Sequence, residues 1–111
     1  MADPNGPAVE NLTVEEVKAG IDDGRILLVD VREPNEITAE RIPGAVVVPL
    51  STFDPADIPD PGGKRLVFSC RSGRRSVTAS QAAQAAGLPY DAHMTGGILA
   101  WKAAGFDTET G

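Results

Sequence analysis

The residues of this chain that are best suited to chemistry lie together in one segment, Cys-Arg-Ser-Gly-Arg-Arg-Ser at positions 70 to 76. Cys70 is the only cysteine, and Arg71, Arg74 and Arg75 lie within the next five positions, although the whole chain carries a formal charge of −6. A thiol becomes a strong nucleophile when positive charge and hydrogen-bond donors lower its pKa. The segment therefore predicts an anion-activated cysteine.

This segment is predicted to join a strand to a helix. The apolar run 66–69 precedes it and the Ala-rich run 75–86 follows it, and ligands of open α/β sheets bind beyond the carboxyl ends of such strands. Gly73 permits the left-handed backbone that turns successive N–H groups inward as an anion-binding nest, backed by the helix N-terminus. The Ser76 hydroxyl adds a further donor in this interpretation.

Several of these side chains also have a plainer interpretation. A lone cysteine at the end of an apolar strand is most often a small buried hydrophobe, and only the arginines, serines and glycine around Cys70 favour the activated thiol. Asp30 and Arg32 end another apolar run. They are interpreted as a buried ion pair that braces the neighbouring loop, in preference to an acid and an anion ligand.

Two further groups are interpreted as structural. Glu33 and Glu36 resemble paired carboxylates, but on a short exposed helix they are predicted to be solvated. His93 lies more than twenty positions after Cys70, and a thiolate that is already formed needs no general base. His93 is therefore expected to have a structural role.

The elements that position this segment alternate along the chain. Thr13 and Glu16 have the spacing of a capping box, which predicts a helix that runs to Gly24 after a first ordered stretch at 9–12. Strands are predicted at 26–31, 45–48, 66–69 and 90–94, and further helices at 33–40, 75–86 and 98–104. Residues 51–63 are expected to be a surface loop with at most one helical turn. The alternation predicts a parallel sheet between helical layers.

Length and composition indicate one domain and exclude several partners. The 111 residues suit a single domain, predicted at 9–108 after a flexible tail at 1–8. The charge of −6 argues against nucleic-acid and membrane partners. One cysteine and one histidine form neither a disulfide nor the usual zinc ligand set, so no metal is expected. The first residues lack the features of a signal peptide, and a cytoplasmic location is expected.

Three motifs carry a resemblance to a known family. They are Leu28-Val-Asp-Val-Arg-Glu33 followed by Ile42-Pro-Gly-Ala45, the loop from Cys70 to Arg75, and Gly96-Gly-Ile-Leu-Ala-Trp101. In order and spacing the chain resembles a single-domain rhodanese, of the sulfurtransferase family. The resemblance implies an α/β fold in three layers, with a five-stranded, mainly parallel sheet flanked by helices.

The resemblance also implies an activity without a cofactor. The Cys70 thiolate would attack the outer sulfur of thiosulfate or a related small anionic donor, release sulfite and keep a persulfide, which cyanide, a thiol or a protein acceptor then takes. Carried over by position, Cys70 is catalytic and Asp30 and Arg32 are supporting. The substrate-binding residues are Arg71, Ser72, Gly73, Arg74, Arg75 and Ser76. The direction of the Arg75 side chain, inward or outward, is left open.

The chain departs from the family pattern where Glu40-Arg41 stands in place of the usual Gly-His, which predicts an altered surface or access. Two alternative functions stay open. A cysteine-dependent phosphatase or arsenate reductase has five residues between its cysteine and arginine. Here only four residues separate Cys70 from Arg75, so the loop forms a smaller ring. A non-catalytic binding module commonly loses the cysteine, which this chain retains.

Overall fold

Five parallel strands form the centre of the computed structural model, which describes residues 7–110. The sheet has the order β1-β5-β4-β2-β3, and every pairing is parallel. The strands are β1 (Glu10–Leu12), β2 (Ile26–Asp30), β3 (Val46–Val47), β4 (Arg65–Ser69) and β5 (Ala92–Met94). The predicted α/β class with a five-stranded sheet is confirmed.

The described residues form four α-helices, of which three lie between strands and the fourth follows β5. They are α1 (Val14–Asp22), α2 (Pro34–Ala39), α3 (Arg75–Ala85) and α4 (Gly97–Ala103). The Thr13 side chain accepts the N–H of Glu16 while the Glu16 carboxylate accepts the N–H of Thr13, so the predicted capping box is present at the start of α1. None of the described helices is long and apolar enough to cross a membrane.

Three predicted elements differ from the structure, and one of them, the strand predicted at 90–94, begins only at Ala92. The strand predicted at 45–48 is reduced to the two residues of β3, because Pro49 ends the extended run, although the Val48 N–H still reaches the Asp30 carbonyl. The prediction of at most one helical turn in the loop 51–63 was wrong, because a 3-10 helix at Pro55–Asp57 lies inside it and another, Leu50–Thr52, overlaps its start. Proline fixes the backbone at the start of the helix at Pro55–Asp57.

The two faces of the sheet bury separate apolar clusters. Leu28 and Val67 pack with residues of α1 and α4, whereas their neighbours Val29 and Phe68 pack with Ala79 and other residues on the α3 side. This alternation follows from the two-residue period of a strand whose faces are both covered.

The ends of the domain lie against this framework. Of the predicted tail 1–8, residues 1–6 lie outside the described residues, whereas the carbonyls of Pro7 and Ala8 accept hydrogen bonds from glutamine side chains of α3. Near the other end, Glu109 and Arg41 exchange two backbone hydrogen bonds of 2.8 Å. The first described residues are therefore attached to α3, and the last ones to the segment that follows α2.

Candidate active site

Cys70 lies at the carboxyl end of β4, the central strand of the sheet, and the following loop leads directly into α3. Two backbone hydrogen bonds fix this loop against α4: the Ile98 N–H donates to the Cys70 carbonyl at 2.9 Å and the Leu99 N–H to the Arg71 carbonyl at 3.1 Å. The loop is therefore held from two sides, by its own strand and by the first turn of α4.

Gly97 makes this close approach feasible. A Cβ atom at Gly97 would overlap the carbonyl oxygens of Cys70 and Arg71, and its φ of +57° lies in the left-handed region. The sequence analysis gave Gly96-Gly97 only as part of the last motif and did not connect the pair to the thiol. The signal available was the Gly-Gly pair before the last helix, but nothing local shows what it approaches.

The Cys70 sulfur is surrounded by hydrogen-bond donors. The Gly73 N–H donates to Sγ at 3.1 Å, and Sγ lies 3.5 Å from the Ser76 Oγ. Burial raises the pKa of the Cys70 thiol, but the Ser76 hydroxyl and the backbone N–H groups of Ser76, Gly73 and Ser72 more than offset it, so the pKa lies below its ordinary value. The predicted stabilisation of an anion on sulfur has a physical basis here.

The thiol itself is deeply placed. Cys70 is 1% exposed and packs with the apolar cluster on the α3 side of the sheet, as the plainer interpretation of a lone cysteine predicts. The loop residues Arg71, Ser72 and Arg74 above it are exposed. A reagent must therefore enter the loop to meet the sulfur, which favours small reagents over bulky ones.

Arg75 points away from the loop and towards α2. Its two terminal nitrogens donate to the two Glu36 carboxylate oxygens at 2.6 and 2.9 Å. This contact holds the pKa of Glu36 down to about 2. The prediction that Glu36 is solvated was wrong, because its side chain is only 24% exposed and paired with Arg75. Glu33 is also engaged, since it accepts hydrogen bonds from the Ser51 hydroxyl and N–H.

The other two arginines of the loop remain available. Within residues 7–110, Arg71 and Arg74 form no ion pair, and both are exposed. A cavity of about 280 Å³ opens beside Arg71, between α2 and α4. Any long-range attraction of an anion to the loop would therefore come from Arg71 and Arg74, because Glu36 neutralises Arg75.

Asp30 and Arg32 form the buried ion pair that the sequence suggested. Arg32 Nη2 and Nε donate to Asp30 Oδ2 at 2.8 and 3.0 Å, and Arg32 Nη2 also donates to the Glu40 carbonyl at 2.9 Å. Both side chains are almost fully buried. The Val31 N–H between them donates to the Ser69 carbonyl at 2.8 Å, directly before Cys70. The pair thus fixes the end of β2 beside the loop.

The departure from the family pattern at Glu40-Arg41 has a structural role. The Glu40 carboxylate accepts hydrogen bonds from Lys102 at 2.7 Å and from Thr108 at 2.6 Å, and Arg41 forms an ion pair with Glu109. The lysine and threonine contacts lower the pKa of Glu40. These contacts tie the end of α2 to α4 and to the last described residues.

His93 lies much nearer to the thiol than its sequence position indicates. Its Nδ1 is 2.9 Å from the Ser76 Oγ, and its Nε2 is 2.7 Å from the Asn11 Oδ1. Parallel pairing of β5 with β4 places His93 opposite Phe68, two residues before Cys70. Burial lowers the pKa of His93. Sequence reasoning missed Asn11 altogether, because the pairing of the first strand with the last leaves no local signal.

Within the described part of the chain, no three His, Cys, Asp or Glu side chains are placed to hold a metal ion together. The groups around the Cys70 thiol are the N–H groups of its loop, the Ser76 hydroxyl, two exposed arginines and, beyond Ser76, an imidazole.

Comparison with known proteins supports the motifs. A model of the rhodanese-like domain matches residues 13–104. An uncharacterized protein of Synechocystis is 45% identical over 83 residues, which are 75% of this chain but only 46% of that protein. The thiosulfate:glutathione sulfurtransferase of Saccharomyces cerevisiae is 31% identical over 114 residues, covering 89% of this chain and 82% of that enzyme. This chain therefore spans less than half of the first relative and most of the second.

A solved structure from Rhodopseudomonas palustris, described as a protein of unknown function and possible tyrosine phosphatase, is also similar. It is 32% identical, has a TM-score of 0.75, and the match covers 91% of this chain and 85% of that one. The family model spans most of the chain, and the fold and the three sequence motifs agree with it. The chain belongs to the rhodanese-like domain family.

Proposed function

We propose that this protein is a sulfurtransferase that carries a sulfane sulfur as a persulfide on Cys70. The observation that carries the proposal is the Cys70 sulfur itself, which lies at the end of β4 with the Gly73 N–H at 3.1 Å and the Ser76 hydroxyl at 3.5 Å. These donors stabilise a negative sulfur, and the same donors suit the outer sulfur of a persulfide anion.

The proposed reaction has two steps. The Cys70 thiolate attacks the outer sulfur of thiosulfate, the new S–S bond forms as the old one breaks, and sulfite leaves with the bonding electron pair. Cyanide or a thiolate then attacks the outer sulfur of the persulfide, taking it as thiocyanate or as a new persulfide, and the Cys70 thiolate is restored. No electron enters or leaves the protein, so neither step needs a redox cofactor.

The positive charges of Arg71 and Arg74 favour a small anionic sulfur donor. Both are exposed beside the loop and unpaired among the described residues, so they raise the local concentration of a doubly charged anion. The yeast relative is named for thiosulfate and glutathione. Those two compounds are therefore the first donor and acceptor to test here, followed by cyanide and a protein acceptor.

The phosphatase or arsenate reductase alternative receives less support from the geometry. Its loop arginine would have to face a bound oxyanion, but the Arg75 guanidinium is engaged by both Glu36 oxygens. The ring between Cys70 and Arg75 is also one residue shorter than that class uses. A non-catalytic binding module does not account for the donors that surround the Cys70 sulfur.

An intact-mass measurement tests the proposal. After incubation with thiosulfate and removal of excess reagent, the protein is expected to gain the mass of one sulfur atom, and cyanide should then remove it. Cys70→Ser is the control, because its hydroxyl carries no sulfane sulfur. Loading of a folded Cys70→Ser protein, or phosphate release from an aryl phosphate without any loading by sulfur donors, would contradict the assignment.

A further inference from the structure

A chain of hydrogen bonds leads away from the thiol into the sheet. Cys70 Sγ lies 3.5 Å from Ser76 Oγ, Ser76 Oγ lies 2.9 Å from His93 Nδ1, and His93 Nε2 lies 2.7 Å from Asn11 Oδ1. Cys70, Ser76 and His93 are all buried. His93 is the only histidine of the protein, and the sulfur chemistry proposed above assigns it no part.

The hydrogen-bonding capacities of these atoms define where each proton lies. The Asn11 Oδ1 only accepts, so His93 Nε2 carries a hydrogen and Nδ1 of a neutral ring carries a lone pair. Ser76 must then donate its single hydrogen to Nδ1, and its oxygen is left to accept the Cys70 S–H. With a neutral imidazole, every one of these donors and acceptors has a hydrogen-bond partner only while Cys70 is a protonated thiol.

Ionisation of the thiol reverses the direction of the hydrogen bonds between Cys70, Ser76 and His93. A thiolate only accepts, so the Ser76 hydroxyl must turn its hydrogen towards sulfur, and Ser76 Oγ must then receive a hydrogen from Nδ1. This requires a ring protonated on both nitrogens, with Nε2–H still directed at Asn11. The thiol proton has then moved to the imidazole, and again every group has a partner.

From this accounting we propose that His93 is a positioning residue that takes up the Cys70 thiol proton through the Ser76 hydroxyl, with Asn11 fixing the ring tautomer. The S–H bond breaks, Ser76 Oγ takes that proton and passes its own to Nδ1, and no electrons are transferred. The inference rests on the proposed function for its purpose, which is to produce the attacking thiolate, but the proton transfer itself needs no sulfur donor.

The surroundings of His93 are consistent with this role. The groups that face the ring are Asn11 from β1, Ser76 from α3, Gly73 from the loop, and the Cys70 thiol beyond Ser76. Among the described residues, none of the hydrogen-bond partners of the ring is charged. Arg75, which interacts electrostatically with the Cys70 thiol, is itself paired with Glu36. Because burial lowers the pKa of His93, the ring is neutral at neutral pH, and the negative charge of the nearby thiolate is what would stabilise its protonated form.

The pH profile of Cys70 alkylation by iodoacetamide is the first test. His93→Gln retains hydrogen-bonding atoms but accepts no proton, and Ser76→Ala removes the relay. Each is expected to raise the alkylation midpoint by about one pH unit, the lower end of the shift that an opposite charge nearby produces. Ser80→Ala is the matched control, because Ser80 is a buried serine one turn further along α3 that donates to the Tyr90 carbonyl instead. It should leave the midpoint unchanged.

Nitrogen NMR of the single imidazole is the second test. The neutral ring is expected to carry its hydrogen on Nε2, and His93 should titrate at higher pH in the native protein than in Cys70→Ser, because a thiolate stabilises the imidazolium. Identical His93 titrations in the two proteins, or an unchanged alkylation midpoint in His93→Gln, would overturn the inference even if sulfur loading is seen. Coupled titrations without sulfur loading would support the inference and contradict the proposed function.

Discussion

Replacement of Glu36 by Gln should lower the free energy of unfolding at neutral pH. It should also remove the part of the pH dependence of stability that comes from the Glu36–Arg75 ion pair. The Glu36 carboxylate holds Arg75 through two hydrogen bonds of 2.6 and 2.9 Å, and its pKa falls from 4.5 to about 2. A shift of that size corresponds to about 3 kcal/mol at neutral pH. The two side chains are 24% and 32% exposed, so solvent screening reduces the expected loss to about 2 kcal/mol.

The pH dependence follows from the direction of this shift. Because the folded pKa is depressed, the Glu36 contribution is fully present above about pH 4.5 and is lost as the pH falls towards about 2. Wild type and Glu36→Gln should therefore differ by about 2 kcal/mol at pH 7, and their free energies of unfolding should converge in acid. Urea unfolding at several pH values, followed by circular dichroism, measures both quantities.

Asp22→Asn supplies a matched control for this experiment. The Lys18–Asp22 pair has the same shortest distance, 2.6 Å, but its side chains are 35% and 57% exposed. An exposed pair within a helix contributes about 0.3 to 0.5 kcal/mol, so this variant should lose much less stability than Glu36→Gln. Equal losses in the two variants, or a Glu36→Gln deficit that persists at pH 2, would refute the argument that burial and bidentate geometry make the Arg75 pair strong.

Three further outcomes are expected. Joint replacement of Arg71 and Arg74 by Ala should raise KM for thiosulfate more than it lowers kcat, and high salt should reproduce this in the wild type; a selective loss of kcat in steady-state kinetics would mean that the arginines stabilise departing sulfite instead. Gly97→Ala should lower the free energy of unfolding, measured in urea, by more than about 2 kcal/mol, because the new Cβ would overlap two loop carbonyls. Gly87→Ala has open space around its Cβ, so it should lose only the smaller amount that a strained φ causes. Ser69→Ala should leave the free energy of unfolding unchanged or raise it by up to about 1 kcal/mol, because the Ser69 hydroxyl is buried without a partner among the described residues; a clear loss of stability would reveal a partner.

Local signals in the sequence predicted the framework of the site well. The capping box at Thr13, the apolar runs of β2 and β4, and Gly73 at φ +98° are all present where the patterns indicate. Each of these depends on residues within a few positions of one another. The placement of Cys70 at the end of β4 also follows from such a local pattern.

The parts that sequence reasoning missed depend on distant pairings. Glu36 was expected to be solvated because it lies on a short helix that was predicted to be exposed, and its partner Arg75 lies 39 positions away. His93 was expected to have only a structural role, more than twenty positions after Cys70, and no local pattern shows that β5 pairs directly with β4. Both contacts depend on the order and register of the strands, and the hydrophobic periodicity of a single segment predicts neither the order nor the register.

The position of β1 has a consequence for how the protein folds. β1 is the first strand of the chain but pairs only with β5, the last, and the Asn11–His93 contact closes a separation of 82 residues. Closing so long a loop is entropically costly and slows folding. A chain emerging from the ribosome must therefore leave β1 unpaired until nearly all of the domain has been synthesised. The Asn11 side-chain oxygen can contact His93 only after β1 has paired with β5. The surroundings of the thiol are therefore complete only when the whole domain has folded.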